Sequence, residues 1–294
     1  MLENLSTEKR NKRTENLDCM TTEEFCHIMN EEDHKVAEAV KEALPQIAKA
    51  IDAIVAAVKL GGRLIYAGAG TSGRLGVIDA AECVPTFGVS SNLVVAIIAG
   101  GSDALIRSKE GAEDSKELAI EDMKKIALTS NDVVFGLAAS GRTPYVISAL
   151  DYAAEVGALP IALSCNKNTA MSNHAKIAIE IDAGPEVLSG STRLKAGTVQ
   201  KLVLNMVSTG VMVQYGKVYK NLMVDMTMTN EKLKNRGQRI VMEATGVSAD
   251  EAAAMLERSG GKVKIAIVMI LAGCGLDEAA ERLLKADGFV RRAI

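Results

Sequence analysis

Tryptophan is absent from the 294 residues, and aromatic residues of all kinds amount to 3%. A chain so poor in flat side chains has few platforms on which nucleic-acid bases could stack. An excess of charge is missing too: 34 Lys and Arg face 37 Asp and Glu, a formal net charge of −3. That leaves no basic footprint for a nucleic-acid backbone or an anionic membrane. Cys19, Cys26, Cys83, Cys165 and Cys274 are odd in number, irregularly spaced and without a CxxC pair. They argue against a disulfide framework or a structural zinc site and suit a reducing cytoplasm. His27, His34 and His174 lie in separate segments, so neither a metal centre nor a histidine-activated nucleophile has a constellation. The longest apolar run, 265–272, is far short of the ~20 residues a bilayer requires. Lys9, Arg10, Lys12 and Arg13 are followed by no apolar segment of the secretory kind.

What is abundant is Ala, Gly, Val, Ile and Leu, a composition suited to parallel strands packed under small-residue helices. The first ~30 residues are polar, with a helix-start pattern at Thr21, Thr22, Glu23 and Glu24. They read as an arm lying on the core or on a partner, disorder being the competing reading. From Glu32, the residues Val36, Val40, Leu44, Ile47, Ile51, Ile54, Val55 and Val58 recur at helical spacing. This predicts a long amphipathic helix, bent or restarted at Pro45 and ended by Gly61-Gly62.

Five short apolar runs follow, at 63–67, 93–98, 132–137, 159–164 and 177–181, with helical stretches at 71–83, 112–127 and 144–157 between them. The alternation predicts an α/β fold with a doubly wound, parallel five-stranded sheet, for which the flavodoxin-like order 2-1-3-4-5 is the one adopted. Leu194, Val199, Leu202, Val203, Met206, Val207 and Val211 mark one further long helix, with Ser191 or Thr192 as its expected cap. From about Arg236 the chain reads as a small three-helix unit. Its stretches 246–253 and 275–280 are alike, the first opening with a Ser248 to Glu251 capping box. The expected divisions are an arm and helix over 1–50, a sheet domain over 51–220 and the helical unit over 236–294.

Chemistry gathers where strands meet helices. The first strand runs into Ala67-Gly68-Ala69-Gly70-Thr71-Ser72-Gly73-Arg74. Glycines there let backbone N–H groups approach an anion, and the helix dipole adds to the attraction. The Walker pattern is not met, since no Lys follows the last Gly, and the hydroxyls favour a sugar phosphate over a nucleotide. The third strand leads into Ala138-Ala139-Ser140-Gly141-Arg142-Thr143-Pro144, with Pro144 as first helical residue and Thr143 as its expected cap. A third hydroxyl-rich helix start is Ser189-Gly190-Ser191-Thr192-Arg193. Each alone reads equally as a tight turn or a cap. Strands one and three, however, flank the switch in strand order where such sheets bind ligands. No G-x-S-x-G elbow surrounds Ser72 or Ser140, which disfavours hydrolase-type nucleophiles.

These loops resemble those of the SIS (sugar isomerase) family of phosphosugar-binding domains. The stretch 184–197, Gly-Pro-Glu-Val-Leu-Ser-Gly-Ser-Thr-Arg-Leu-Lys-Ala-Gly, is similar to a signature shared by glucokinase regulatory protein and the N-acetylmuramic acid 6-phosphate etherases. Further similarity to the etherase family lies at 5–11, 70–76, 79–83, 110–114 and Asn235-Arg236. It extends over essentially the whole chain. The one departure is at Cys83-Val84-Pro85, where the family often has a second proline.

The resemblance implies a cofactor-independent lyase, with no metal, that removes D-lactate from the 3-ether of N-acetylmuramic acid 6-phosphate in the recycling of cell-wall sugars. In the ring-opened sugar the C1 aldehyde acidifies the C2 proton and the ether oxygen lies β to the carbonyl, so two acid/base groups suffice. Glu82 and Glu113 match the family's catalytic glutamates, Glu82 as acid and Glu113 as base. An acid working near neutral pH needs apolar surroundings, which Ala80, Ala81, Val84 and Phe87 are expected to supply to Glu82. The phosphosugar contacts are expected from Thr71, Ser72, Gly73, Ser140, Gly141, Thr143, Ser191 and Thr192. The resemblance also implies a homodimer whose active site receives residues from the neighbouring subunit. The alternatives are an aldose–ketose phosphosugar isomerase, which gives no reason for the 184–197 signature, and a non-enzymatic sugar-phosphate sensor.

Overall fold

The computed structural model describes residues 5–228 and 230–294. The chain divides into two compact units, Met1–Ala80 with Asn92–Ser208 and Ala81–Ser91 with Thr209–Ile294. At the centre of the first are the strands β1 (Leu64–Gly68), β2 (Val94–Ile98), β3 (Val133–Ala138), β4 (Leu159–Ser164) and β5 (Ile177–Glu180). All pair in parallel, and their spatial order is β2-β1-β3-β4-β5, the flavodoxin-like order expected. Every residue of β1 and β3 is buried, whereas the edge strands β2 and β5 include half-buried positions. That is the signature of a sheet covered by helices on both faces.

Strand pleating sends Ile65, Ala67, Val134 and Ala138 to one face. There they pack with Tyr145, Val146, Ala149 and Leu150 of α5 (Pro144–Val156) and with Ala119 and Met123 of α4 (Lys116–Lys125). On the other face Tyr66 meets Phe135 edge-on, ring centroids 5.8 Å apart. The Tyr66 hydroxyl donates to Asp79 of α3 (Gly70–Phe87) across 3.0 Å. α3 can lie this close because Gly76 carries no Cβ; one placed there would stand 3.0 Å from the Cβ of Tyr66.

Some boundaries differ from the expected ones. The single long helix is two: α1 (Thr22–Glu42) and α2 (Leu44–Lys59). α1 starts well before Glu32, at a capping box between Thr21 and Glu24. Pro45 cannot continue α1 but is tolerated in the first turn of α2. The stretch 112–127 is a 3-10 turn (Ala112–Asp114) followed by α4, which restarts where the Ser115 hydroxyl accepts from Leu118 N–H at 3.1 Å. α3 runs on past Cys83, with Pro85 inside its last turn.

The second unit holds a short antiparallel ribbon, β6 (Val218–Tyr219) with β7 (Leu222–Met223), and the helices α7 (Glu231–Thr245), α8 (Ala249–Arg258), α9 (Val263–Ala272), α10 (Leu276–Lys285) and α11 (Val290–Ala293). The expected three helices are α8 to α10; α7 and α11 enlarge the bundle. A helix apolar all round belongs at a centre, and α9 sits there, with Val263, Ala266, Ile267, Val268 and Met269 buried among residues of its four helical neighbours. Its one charged residue, Lys264, is buried, donates to the Gly216 carbonyl at 2.8 Å and pairs with Asp225. Ser248 accepts from Glu251 N–H at 3.3 Å, the cap bond expected there.

Candidate functional site

Gly68 at the end of β1 lies in register with Leu137 near the end of β3. From these neighbours the chain leaves for opposite edges of the sheet, to β2 on one side and β4 on the other. Open α/β sheets take their ligands in the crevice so created.

The β1–α3 loop is folded tightly by its glycines. A Cβ on Gly68 would stand 2.7 Å from Gly73 N, and one on Gly73 would stand 2.6 Å from Ile98 Cγ1. The helix start is thereby pressed onto the strand end, and Gly70 turns the corner at φ +51°. Thr71 is half-buried and Ser72 buried. The Gly73 N–H is taken by the Ala69 carbonyl at 3.1 Å. The Ser72 hydroxyl donates to Gln200 Oε1 at 2.9 Å; Gln200 is on α6 (Lys195–Gln214).

In the β3–α5 loop Gly141 adopts φ +67°, and a Cβ there would lie 2.4 Å from Thr169 Cβ. Ser140, half-buried, accepts from the Arg142 N–H at 3.3 Å. Thr143 occupies the N-cap position of α5, yet its side chain makes no cap hydrogen bond, which corrects the expectation that it caps the helix.

A second correction concerns α6. Neither Ser191 nor Thr192 caps it; the Glu186 carboxylate does, accepting from Lys195 N–H at 2.8 Å and Ala196 N–H at 2.9 Å. The first donors of this helix therefore already hold an anion. Burial pushes the Glu186 carboxyl up, against these bonds that pull it down. Ser191 and Thr192 remain half-buried in the turn before the helix.

A cleft of about 150 Å³ opens beside the β1–α3 loop, lined among others by Gly70, Arg74, Lys109, Glu110 and Glu113. Arg74 is held by a 3.0 Å bond to the Leu105 carbonyl and Lys109 by one to the Gly100 carbonyl, also 3.0 Å. Two cations and two carboxylates thus share this opening, and Glu113 is exposed to it. The structure places Glu82 differently: it is exposed on α3, not enclosed by Ala80, Ala81, Val84 and Phe87 as expected.

Sequence reasoning missed the supports beneath the site. Glu32 and Lys195, each 1% exposed, form an ion pair at 2.8 Å. Lys195 also donates to the Ala183 carbonyl at 2.9 Å, and Arg13 reaches Glu32 at 2.9 Å. Burial works against the Glu32 carboxylate, but the bonds from Lys195, Lys35 and Arg13 prevail and hold it down at about 2. The arm is tied to the β3–α5 loop by Asn166, whose Nδ2 donates to both Thr7 Oγ1 and the Ala139 carbonyl at 3.0 Å. The only sequence signal for these partners was that Glu186 and Lys195 lie within the 184–197 stretch. Among the described residues no three His, Cys, Asp or Glu side chains converge as a metal site, and no helix is long and apolar enough to cross a membrane.

The sheet order and its glycine loops define an α/β protein of the SIS class. The profile of the SIS domain matches residues 114–209, and that of the glucokinase regulatory protein N-terminal SIS domain matches residues 46–154. A phosphoheptose isomerase structure from Francisella tularensis shares the fold at TM-score 0.50 and 19% identity, covering 65% of this chain and 98% of that one. Within the class, the chain belongs to the N-acetylmuramic acid 6-phosphate etherase family. It is 58% identical to the etherase of Geobacillus thermodenitrificans over 100% of both chains. The etherase of Oenococcus oeni is also 58% identical, over 100% of this chain and 99% of its own.

Proposed function

We propose that this protein cleaves the D-lactyl ether of N-acetylmuramic acid 6-phosphate, giving N-acetylglucosamine 6-phosphate and D-lactate in the cytoplasm. The observation that carries the reading is identity along the whole chain to proteins of that name. Glu113, in the cleft beside the β1–α3 loop, takes the C2 proton of the ring-opened sugar. The electron pair passes into the C1 carbonyl and returns to expel the C3 oxygen, which Glu82 protonates as lactate leaves. Water then adds at C3 of the unsaturated aldehyde and C2 regains a proton. The phosphate is received at the crevice by the hydroxyls of Thr71 and Ser72, of Ser140 and Thr143, and of Ser191 and Thr192, with Arg74 supplying positive charge; Gly73 and Gly141, whose N–H groups are held by the Ala69 and Ala138 carbonyls, give the loops their close turns.

As the resemblance to SIS domains implies, the protein works as a homodimer, and Glu82, exposed on α3, serves the partner's cleft. Mixing the inactive variants Glu82→Gln and Glu113→Gln tests this part: hybrid dimers regain lactate release if sites are shared, and none if each chain is self-sufficient.

The activity itself is tested by incubating the protein with N-acetylmuramic acid 6-phosphate and measuring free D-lactate. The profile match over residues 46–154 favours a second reading, a sugar-phosphate sensor. Retained binding of the phosphosugar with no lactate release decides for it.

A further inference from the structure

Gln200 Nε2 is, among the described residues, the one buried side-chain nitrogen or oxygen without a hydrogen-bond partner. An orphaned buried amide donor is costly, and a native fold that keeps one has a use for it or has strain to store. Gln200 is 1% exposed and Ser72 8%. The other end of the same amide holds the Ser72 hydroxyl at 2.9 Å. Ser72 is in the first turn of α3, in the loop read above as the receiver of phosphate. In this arrangement its single proton is turned inward, toward α6, and is not available to an anion.

We propose that Gln200 is a positioning residue for Ser72, its amide reversing end for end when a phosphate ester binds. A half-turn of the amide brings Nε2 to Ser72 Oγ as a donor. Ser72 then accepts from Gln200 and gives its own proton to the phosphate. The orphan donor gains a partner, and the chain amide to hydroxyl to anion runs in one direction, each bond polarising the next. What is left unpaired is a carbonyl oxygen, the less demanding of the two groups. Only an amide serves both arrangements: a carboxylate can accept from Ser72 but never donate to it, and an aliphatic side chain does neither. The proposal rests on the phosphosugar reading of the loop.

The test is titration calorimetry with N-acetylglucosamine 6-phosphate on the full chain, with melting temperatures recorded alongside. Ser72→Ala should weaken binding about tenfold, the loss of a hydrogen bond to a charged group. Gln200→Met, which keeps the volume, should weaken it severalfold. The double variant Ser72→Ala, Gln200→Met should lose no more than Ser72→Ala alone, because both act through one hydroxyl. It should also melt at or above the wild type, since the buried orphan is gone. Wild-type affinity in Gln200→Met, multiplied losses in the double variant, or a double variant that loses stability along with affinity overturns the proposal while wild-type lactate release stands. A wild-type protein that neither binds the phosphosugar nor releases lactate removes the functional reading, and the proposal with it.

Discussion

Replacing Lys195 by Met leaves the shape of a fully buried side chain nearly intact and deletes its charge. The wild-type ammonium bonds Glu32 at 2.8 Å and the Ala183 carbonyl at 2.9 Å, with both ends of the ion pair 1% exposed. Two independent routes give the cost. Removing one partner of a buried pair typically costs about 3–5 kcal/mol, because the surviving charge is stranded. Glu32 falls from an ordinary 4.5 to about 2 in the fold, which at 1.36 kcal/mol per unit corresponds to about 3 kcal/mol for its whole set of partners. Arg13 and Lys35 remain on Glu32, so the lower end, about 3 kcal/mol at pH 7, is the expected loss.

The sign with pH follows from a depressed carboxylate. Its contribution is complete above about 4.5 and is lost as pH falls toward about 2. Urea denaturation of wild type and Lys195→Met, repeated from pH 7 down to pH 3, should show the two midpoints converging below pH 4.5. A loss under about 1 kcal/mol at neutral pH, or a gap that stays constant to pH 3, refutes the reasoning. Because Lys195 opens α6 beside Glu186, the variant should also raise KM for the phosphosugar.

Other substitutions probe the remaining parts. Glu82→Gln should stop lactate release yet still exchange the C2 proton of the substrate with heavy water, and Glu113→Gln should lose both, as NMR of C2 reads directly; the opposite pattern exchanges their roles. Gly141→Ala meets Thr169 at 2.4 Å from a φ of +67° and should cost about 1–2 kcal/mol from the backbone alone, more from the overlap, lowering the thermal midpoint and kcat/KM together. Asp132→Asn should destabilise by about 1–3 kcal/mol, because Asp132 is 2% exposed and receives Arg63 Nη2 at 2.7 Å and Thr129 N–H at 2.8 Å. It lies before β3, away from the loops, so KM should not move, and a changed KM contradicts the placement of the site. Burial opposes the Asp132 carboxylate but Arg63 and Thr129 lower it, so its stabilising effect too should fade as the solution is acidified.

The parallel sheet was legible because its cause is local. Short apolar runs such as Leu64–Gly68 and Val133–Ala138, each followed by glycine, hydroxyls and a helix, have few other ways to bury both faces; the order β2-β1-β3-β4-β5 is one of the few that such an alternation allows. The glycines at 70 and 141 were legible for a similar reason: a strand-to-helix corner needs positive φ where it turns. Helix ends near proline or an aligned cap, as at Thr21 and Pro45, also declare themselves within a turn of chain. The cap of α6 did not, because its acceptor Glu186 is nine residues upstream of Lys195, beyond any capping spacing, while Ser191 and Thr192 stand in the expected place. Nor could the pairing of Glu32 with Lys195 or of Ser72 with Gln200 be read, since their separations of 163 and 128 residues are closed only when α6 meets α1 and the start of α3 in the folded chain. α9 read as a buried segment, but whether three or five helices enclose it depended on how much apolar surface remained to cover. Local sequence determined which elements form and where glycine must turn them. Tertiary packing decided which charges and hydroxyls face one another, because a hydrogen bond is specified by the meeting of two atoms and a sequence pattern specifies only one of them.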